Sequence, residues 1–203
     1  GKRRTGLPAP ATLPGRFETA DLPSLRRFTR PAKAHVTMTP NDTSAPATDG
    51  GVCAVIGRIP SGLFVVTWRD GTVDRTMLAS WVMQAGFAPP AVSLAVAPER
   101  DLLSAIDRGI AFAVNILGEA QRPLLARFGK PATPGADPFD GLAVERTPAG
   151  NARLPGTSGW LECRGTARVA AGDHAIVVAE VLAGDPGPAG TPLVHVRKNG
   201  LRY

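Results

Sequence analysis

The uncharged segment at residues 76–98 constrains the fold of this chain more than any other feature. Its 23 consecutive residues are enough to span a bilayer as a helix. Pro89 and Pro90 would break such a helix, because proline has no amide hydrogen to donate. Residues 92–96 also alternate large and small side chains, which is typical of a strand. We therefore predict two strands across residues 76–97, with a turn at Gly86 and the prolines, and no membrane span.

After position 51, further short apolar runs alternate with turn residues. Helices are predicted at 52–62, 99–109 and 119–129, the last in spite of Pro123, and a loop rich in proline and glycine is predicted at 130–141. Further strands are predicted at 63–68, 111–117, 142–147, 159–170, 174–184 and 192–198. Many short strands with two or three helices between them predict a mainly β fold with helices, in the form of a β-barrel.

Residues 1–50 differ from the rest in composition. They hold eight Lys and Arg against four Asp and Glu, are rich in proline and show no sustained hydrophobic period. Such segments bury too little apolar surface to fold, so 1–50 are predicted to be a disordered basic tail or linker and 51–203 a single domain. Nucleic-acid binding by the basic residues is the alternative, and no such partner is expected. Because Gly1 is not a start methionine, we expect either a fragment of a longer polypeptide or a frame extended upstream of Met38.

Several classes of site lack the residues they need. Cys53 and Cys163 have no Cys-x-x-Cys spacing, which indicates neither a zinc site nor a disulfide and predicts a reducing, cytoplasmic location. The three histidines have no clustered carboxylates nearby in sequence, so no metal site is predicted. Asp173 adjoins His174, and neighbouring side chains of a strand point to opposite faces, which disfavours a hydrolase triad. The chemistry is therefore expected to belong to a bound cofactor.

Seven segments occur together and in order along the second part of the chain. They are GRIPSGLFVVT, MLASWVMQAGFAPPAVSLAVA, FAVNIL, FGKPATPGADPFDG, WLECR, AGDHAIVVAEV and HVRKNGLRY. Together they resemble the flavin reductase-like, FMN-binding split-barrel family over residues 54–203. The likeness is closest to the flavin reductase module at the C-terminus of cyanobacterial flavodiiron proteins, whose diiron and flavodoxin modules this chain does not show.

The resemblance implies a split β-barrel, a homodimer and an NAD(P)H:flavin oxidoreductase. A hydride would pass from NADH or NADPH to FMN or FAD, and the electrons would go on to a partner monooxygenase, free flavin or oxygen. The alternative is a flavin-binding electron-relay module of a larger flavodiiron-type protein, without reductase turnover. Neither interpretation needs a membrane.

The resemblance also implies site residues in the first half of the domain. A flavin ring needs an apolar slot and backbone donors, and the positions beside it are Leu78, Ala79, Ser80 and Trp81. The flavin phosphate is expected near Ala97, Arg100 and Lys130, although the segment at 97–99 lacks the hydroxyls common in the family. Asn115 matches a position near the flavin, with a satisfied buried amide as its structural alternative.

The remaining implied residues lie near the C-terminus. His174 is expected to act at the flavin or at the nicotinamide that stacks on it, and its structural alternative is a histidine that begins a strand. The basic end segment is expected to meet the phosphates of NADH or NADPH, or else to be solvated edge-strand charge. Its members are His195, Arg197 and Lys198.

Overall fold

The computed structural model describes residues 50–130, 133, 135–188 and 190–197. The prediction of a disordered tail over 1–50 therefore lies, except for Gly50, outside the described residues. None of the helices in the described ranges is long and apolar enough to cross a membrane.

The described residues form short helices and a larger number of strands. The helices are α1 (Gly50–Ile56), α2 (Asp101–Asp107) and α3 (Leu124–Phe128). The strands are β1 (Ser61–Gly62), β2 (Phe64–Asp70), β3 (Val73–Ala79), β4 (Val82–Phe87), β5 (Pro90–Val96), β6 (Phe112–Ile116), β7 (Glu145–Arg146), β8 (Ala152–Arg153), β9 (Gly159–Ala171), β10 (His174–Pro186) and β11 (Val194–His195). The prediction of a mainly β fold with helices is confirmed.

Seven of the strands make one antiparallel sheet in the order β3-β2-β6-β9-β10-β5-β4. Side chains from β2, β3, β5, β6, β9 and β10 join one buried cluster, so the sheet curls around it. The α2 helix adds three buried residues to the same cluster: Leu102, Leu103 and Ala105. The strands β1 and β11 form a separate antiparallel pair, as do β7 and β8.

Both faces of β2 are covered, which explains its apolar sequence. Val66 and Trp68 pack into the cluster inside the barrel. Val65 points the other way, into a second cluster that contains Leu117 and Leu193. Because successive side chains of a strand alternate between faces, a strand buried on both sides reads as a continuous apolar run.

The structure differs from the predicted elements in several places. The helix predicted at 52–62 is α1, which ends at Ile56 because Gly57 and Pro60 do not favour its continuation, and Ser61 and Gly62 form β1 instead. Residues 73–96 hold three strands, because β3 pairs with β2 along its whole length and the turn before β5 lies at Ala88 and Pro89. Gly86 lies within β4, at an irregularity in its pairing with β5. The helix predicted at 119–129 is two pieces, a 3-10 turn at Glu119–Gln121 and α3, because Pro123 cannot donate the hydrogen bond that would join them.

A buried carboxylate ties the β7–β8 hairpin to the sheet. Glu162 on β9 is 2% exposed and accepts hydrogen bonds from Thr147 Oγ1, from Ala149 N and from Asn151 Nδ2. Asn151 Oδ1 in turn accepts the backbone hydrogen of Arg69 at 3.0 Å. These bonds satisfy the carboxylate inside the protein, as a buried charged group requires.

Candidate functional site

An open cleft of about 740 Å³ runs beside β3. Its walls come from parts of the chain that are far apart in sequence. They are residues 76–80, 95–97, 99–101, 126–130, 133 and 136–138, together with Trp68 and His174. The cleft therefore lies where β3, the β5–α2 connection, the end of α3 and the start of β10 meet.

The strand that forms its floor lies at the edge of the sheet. Within the seven-stranded sheet, β3 pairs only with β2. On such an edge, every second residue turns its amide hydrogen and carbonyl oxygen away from the partner strand. Ala79 and the next residue, Ser80, line the cleft and have small side chains, so a ligand can approach the backbone closely. This arrangement fits a flat heteroaromatic ring with carbonyl oxygens and ring nitrogens along one side.

Most of the residues predicted for the flavin site line this one cleft. They are Leu78, Ala79, Ser80, Ala97, Arg100, Lys130 and His174. Trp81 follows Ser80 directly and contacts the site through His174: the two ring centroids are 5.0 Å apart, with a 54° tilt between the ring planes. The fold thus gathers residues that the sequence places on separate strands and connections.

Two of the predicted residues that the structure describes, Asn115 and His195, are separate from the cleft lining and from the contacts of Trp81. Asn115 is fully buried; its Nδ2 donates to Val65 O and Ala152 O, and its Oδ1 accepts the Leu154 backbone hydrogen at 2.8 Å. All its polar atoms are therefore used inside the core, as the structural alternative for this residue predicted. His195 lies on β11, opposite Ser61 of β1, away from the lining residues. Lys198 lies outside the described residues.

His174 is oriented by its neighbour in sequence. Its ring Nδ1 lies 2.8 Å from Asp173 Oδ1, and the side chains are 10% and 93% exposed, respectively. The expectation that these side chains point to opposite faces is wrong, because Asp173 belongs to the turn before β10, where Gly172 has a φ of +61°. The hydrogen bond and the charge of His174 lower the pKa of Asp173 below its usual range. The Asp173 carboxylate therefore orients the His174 ring from its Nδ1 side.

Arg197 contacts the same corner from the C-terminal segment. Its Cζ lies 4.4 Å from the centroid of the Trp81 ring, and its Nη2 donates to Ser80 Oγ at 3.4 Å. The guanidinium therefore lies against the ring of Trp81. Its contact with a dinucleotide phosphate stays a prediction.

The lining of the cleft holds acidic side chains, among them Asp101, as well as basic ones. Arg100 and Lys130 line it, and neither forms an ion pair within the described part of the chain. The α2 helix has only seven residues and carries Asp101 in its first turn, so its amides offer little attraction to an anion. Arg127 also lines the cleft and is hydrogen-bonded to Pro138 O and Asp140 O, so binding of a flavin phosphate here would depend mainly on Arg100 and Lys130.

Sequence reasoning missed the residues that shape the outer wall of the cleft. Arg127 donates from Nε to Pro138 O at 2.9 Å and from Nη2 to Asp140 O at 2.6 Å. Phe128 packs against Phe139, with ring centroids 6.1 Å apart. These contacts fold the loop after α3 back onto the helix. No local sequence signal predicts these contacts, because a loop rich in proline and glycine has no periodic pattern.

Comparisons with known proteins agree with this geometry. The family model described as flavin reductase like domain matches residues 56–200. The diflavin flavoprotein A 1 of Synechocystis sp. is 39% identical over 157 residues, which are 76% of this chain and 27% of that protein. This chain thus spans about a quarter of the length of its curated relative.

Solved structures show the same fold. The NADH:FAD oxidoreductase SgcE6 of Streptomyces globisporus superposes with a TM-score of 0.67 at 26% identity, over 78% of this chain and 95% of that one. The same oxidoreductase in complex with NAD and FAD fragments superposes with a TM-score of 0.63 at 26% identity, over 70% and 84% of the two chains. The split barrel and the family predicted from the seven segments are confirmed. This chain belongs to the flavin reductase-like family.

Proposed function

We propose that this chain is an NAD(P)H:flavin oxidoreductase whose cleft beside β3 binds the flavin ring and the reduced nicotinamide. One observation carries the proposal. The unpaired edge of β3, at Ala79 and the adjoining Ser80, lies in the same cleft as His174 and the cations Arg100 and Lys130. SgcE6 is an NADH:FAD oxidoreductase, and one of its structures holds NAD and FAD fragments, which supports the same ligand classes here.

The residues of the cleft fit a flavin. Backbone groups at the edge of β3 would meet the carbonyl oxygens and nitrogens of the ring, and the Ser80 hydroxyl can add a hydrogen bond. Arg100 and Lys130 would hold the phosphate of FMN or FAD. When bound, the flavin supplies the redox chemistry, by accepting a hydride from NADH or NADPH.

The contribution of the protein is to position the two rings. A wall of small and apolar residues on one side and the loop at 136–138 on the other leave a slot in which the ligands stack. Holding reacting atoms at about 3 to 3.5 Å removes much of the entropic cost of the reaction. His174, held by Asp173 at Nδ1, would lie beside the stacked rings.

A homodimer and a cytoplasmic location are part of the proposal. Large apolar side chains stand exposed on the outside of the barrel, with Phe87 89%, Met83 70% and Val169 62% exposed, as is common at protein interfaces. Cys53 and Cys163 are both free thiols, which supports a reducing compartment. Analytical ultracentrifugation of the wild type and of Phe87→Glu tests the dimer. A monomeric wild type contradicts it.

An electron-relay module is the second candidate, and the length of the curated relative favours it. Because this chain covers 27% of the Synechocystis protein, it corresponds to one part of a longer protein there. Steady-state consumption of NADH and NADPH, with FMN or FAD added in excess, separates the two functions. A reductase turns over many equivalents of nicotinamide per chain. A relay module binds flavin and shows no sustained consumption, and that result would overturn the reductase proposal.

A further inference from the structure

Three side chains form a continuous row from the C-terminal segment to the wall of the cleft. Arg197 lies over the Trp81 ring at 4.4 Å, and the Trp81 ring lies 5.0 Å from the ring of His174. Arg197 also reaches Ser80 Oγ at 3.4 Å. Because Ser80 and His174 both line the cleft, the row ends at the proposed site of the rings.

The first member of the row is fixed to the barrel. The backbone hydrogen of Arg197 is donated to Gly57 O at 3.0 Å. Just before it, β11 pairs with β1, and the fully buried Leu193 donates its backbone hydrogen to Leu117 O at 2.8 Å. The guanidinium is thus presented to Trp81 from an anchored segment.

The middle member has a fixed backbone and a ring that its neighbours orient. Trp81 lies between β3 and β4, and its carbonyl oxygen accepts the Ala95 backbone hydrogen at 3.0 Å. A guanidinium over an indole is attracted by the negative face of the ring, and its planar shape stacks as an ammonium cannot. Aromatic pairs such as Trp81 and His174 also have preferred relative orientations. Each contact therefore restricts the orientation of the next side chain.

We propose that Arg197 is a positioning residue: it holds the Trp81 ring, and Trp81 holds the His174 ring in the orientation in which His174 meets the flavin or nicotinamide. The expected effect of Arg197 on the rate of flavin reduction rests on the proposed function, whereas its effect on the orientation of the Trp81 and His174 rings does not. The role differs from the phosphate contact predicted from sequence, because it requires a planar guanidinium and not only a positive charge.

The test compares Arg197→Gln and Arg197→Lys with Arg164→Gln, which removes an exposed arginine of β9 outside the cleft. The first readout is the NMR shift of the His174 ring protons in the flavin-free protein, assigned by their loss in His174→Gln. The Trp81 ring current displaces these shifts, so Arg197→Gln should move them toward the values of an unstructured histidine, and Arg164→Gln should not.

The second readout is the rate of FMN reduction by NADH in stopped flow. Loss of ring positioning should slow reduction by about ten- to hundredfold in Arg197→Gln, with a smaller change in FMN affinity. Arg197→Lys should remain slow, since it restores the charge without the flat stack. If Arg197→Gln does not fold, the NMR shifts and the reduction rate are both measured in Arg197→Lys.

Unchanged His174 shifts in a folded variant would overturn the inference, and so would normal reduction despite moved shifts. Recovery of the wild-type rate in Arg197→Lys would also overturn it, in favour of a phosphate contact. If the wild type itself reduces no flavin, the proposed function fails and the role in the reaction fails with it. The NMR shifts still decide, in that case, whether Arg197 orients the two rings.

Discussion

The carboxylate of Asp173 and the imidazole of His174 are hydrogen-bonded at 2.8 Å, although the two residues are adjacent in sequence. Adjacent side chains within a strand point apart, and this pair meets because Asp173 still belongs to the turn. The pair therefore fixes the ring of a residue that lines the cleft. It also makes the charge of an exposed carboxylate sensitive to that ring.

Asp173→Asn should make the difference in stability between wild type and variant depend on pH. The pKa of Asp173 is lowered in the folded state, so its interaction with His174 stabilises the fold above the usual carboxyl range and is lost as pH falls through the lowered pKa. The effect should be small, because the carboxylate is exposed. Denaturant unfolding of both proteins from neutral to acidic pH measures it. A difference that stays constant down to the acid end would contradict the assignment.

His174→Ala should slow flavin reduction more than it destabilises the protein. Loss of a residue that positions or hydrogen-bonds the reacting rings should cost about 1 to 3 kcal/mol in the transition state, or roughly ten- to a hundredfold in kcat/KM. Loss of the ring contact with Trp81 should cost the fold about 1 kcal/mol. Stopped-flow reduction and thermal unfolding of the same variant measure both. Normal reduction with a much lower Tm would assign His174 a structural role only.

Arg100→Gln and Lys130→Gln should weaken the binding of FMN but not of riboflavin, which lacks the phosphate. Each charge-assisted contact with a phosphate should contribute about 1.5 kcal/mol, or roughly tenfold in Kd. Arg164→Gln is the matched control, since it removes the same charge outside the cleft. Fluorescence titration with FMN and with riboflavin gives the Kd of each variant relative to that of the wild type. Equal losses for FMN and riboflavin would show that these residues do not bind the phosphate.

Asn115→Ala should destabilise the fold and leave the flavin affinity of the folded fraction nearly unchanged. The substitution removes the side-chain donor to Val65 O and the side-chain acceptor of the Leu154 amide, and leaves Ala152 O with Thr67 Oγ1 as its side-chain donor. Unsatisfied buried groups cost about 1 to 3 kcal/mol each, so a total loss of roughly 3 kcal/mol is expected. Urea unfolding measures the loss. A stable variant with a large drop in flavin affinity would return Asn115 to the binding site.

Much of the fold could be predicted from local sequence patterns. The alternation of large and small side chains at 92–96 corresponds to β5, and the strand predicted at 63–68 corresponds to β2. The single helix predicted across Pro123 was wrong, because a broken hydrogen-bond ladder outweighed a favourable apolar pattern. Helices and strands can be predicted from sequence because their apolar pattern repeats over a few neighbouring residues.

The site was less accessible to such reasoning. Family motifs indicated Ser80 and His174, which the structure places in one cleft. The row of Arg197, Trp81 and His174 depends on contacts across 93 positions, from Trp81 to His174, and across 116 positions, from Trp81 to Arg197, and no local period encodes them. For the same reason, the sequence left Asn115 open between a flavin contact and a satisfied buried amide, and its bonding partners are visible only in three dimensions.

The central claim is that the cleft beside β3 binds flavin and that the bound flavin is reduced by a nicotinamide. Its most direct test is the visible absorption spectrum of the purified protein with FMN under anaerobic conditions, before and after one equivalent of NADH or NADPH. We expect a spectral shift of the flavin on binding and rapid bleaching on addition of one of the two nicotinamides. An FMN or FAD spectrum unaffected by the protein, with no bleaching by either nicotinamide, would contradict it.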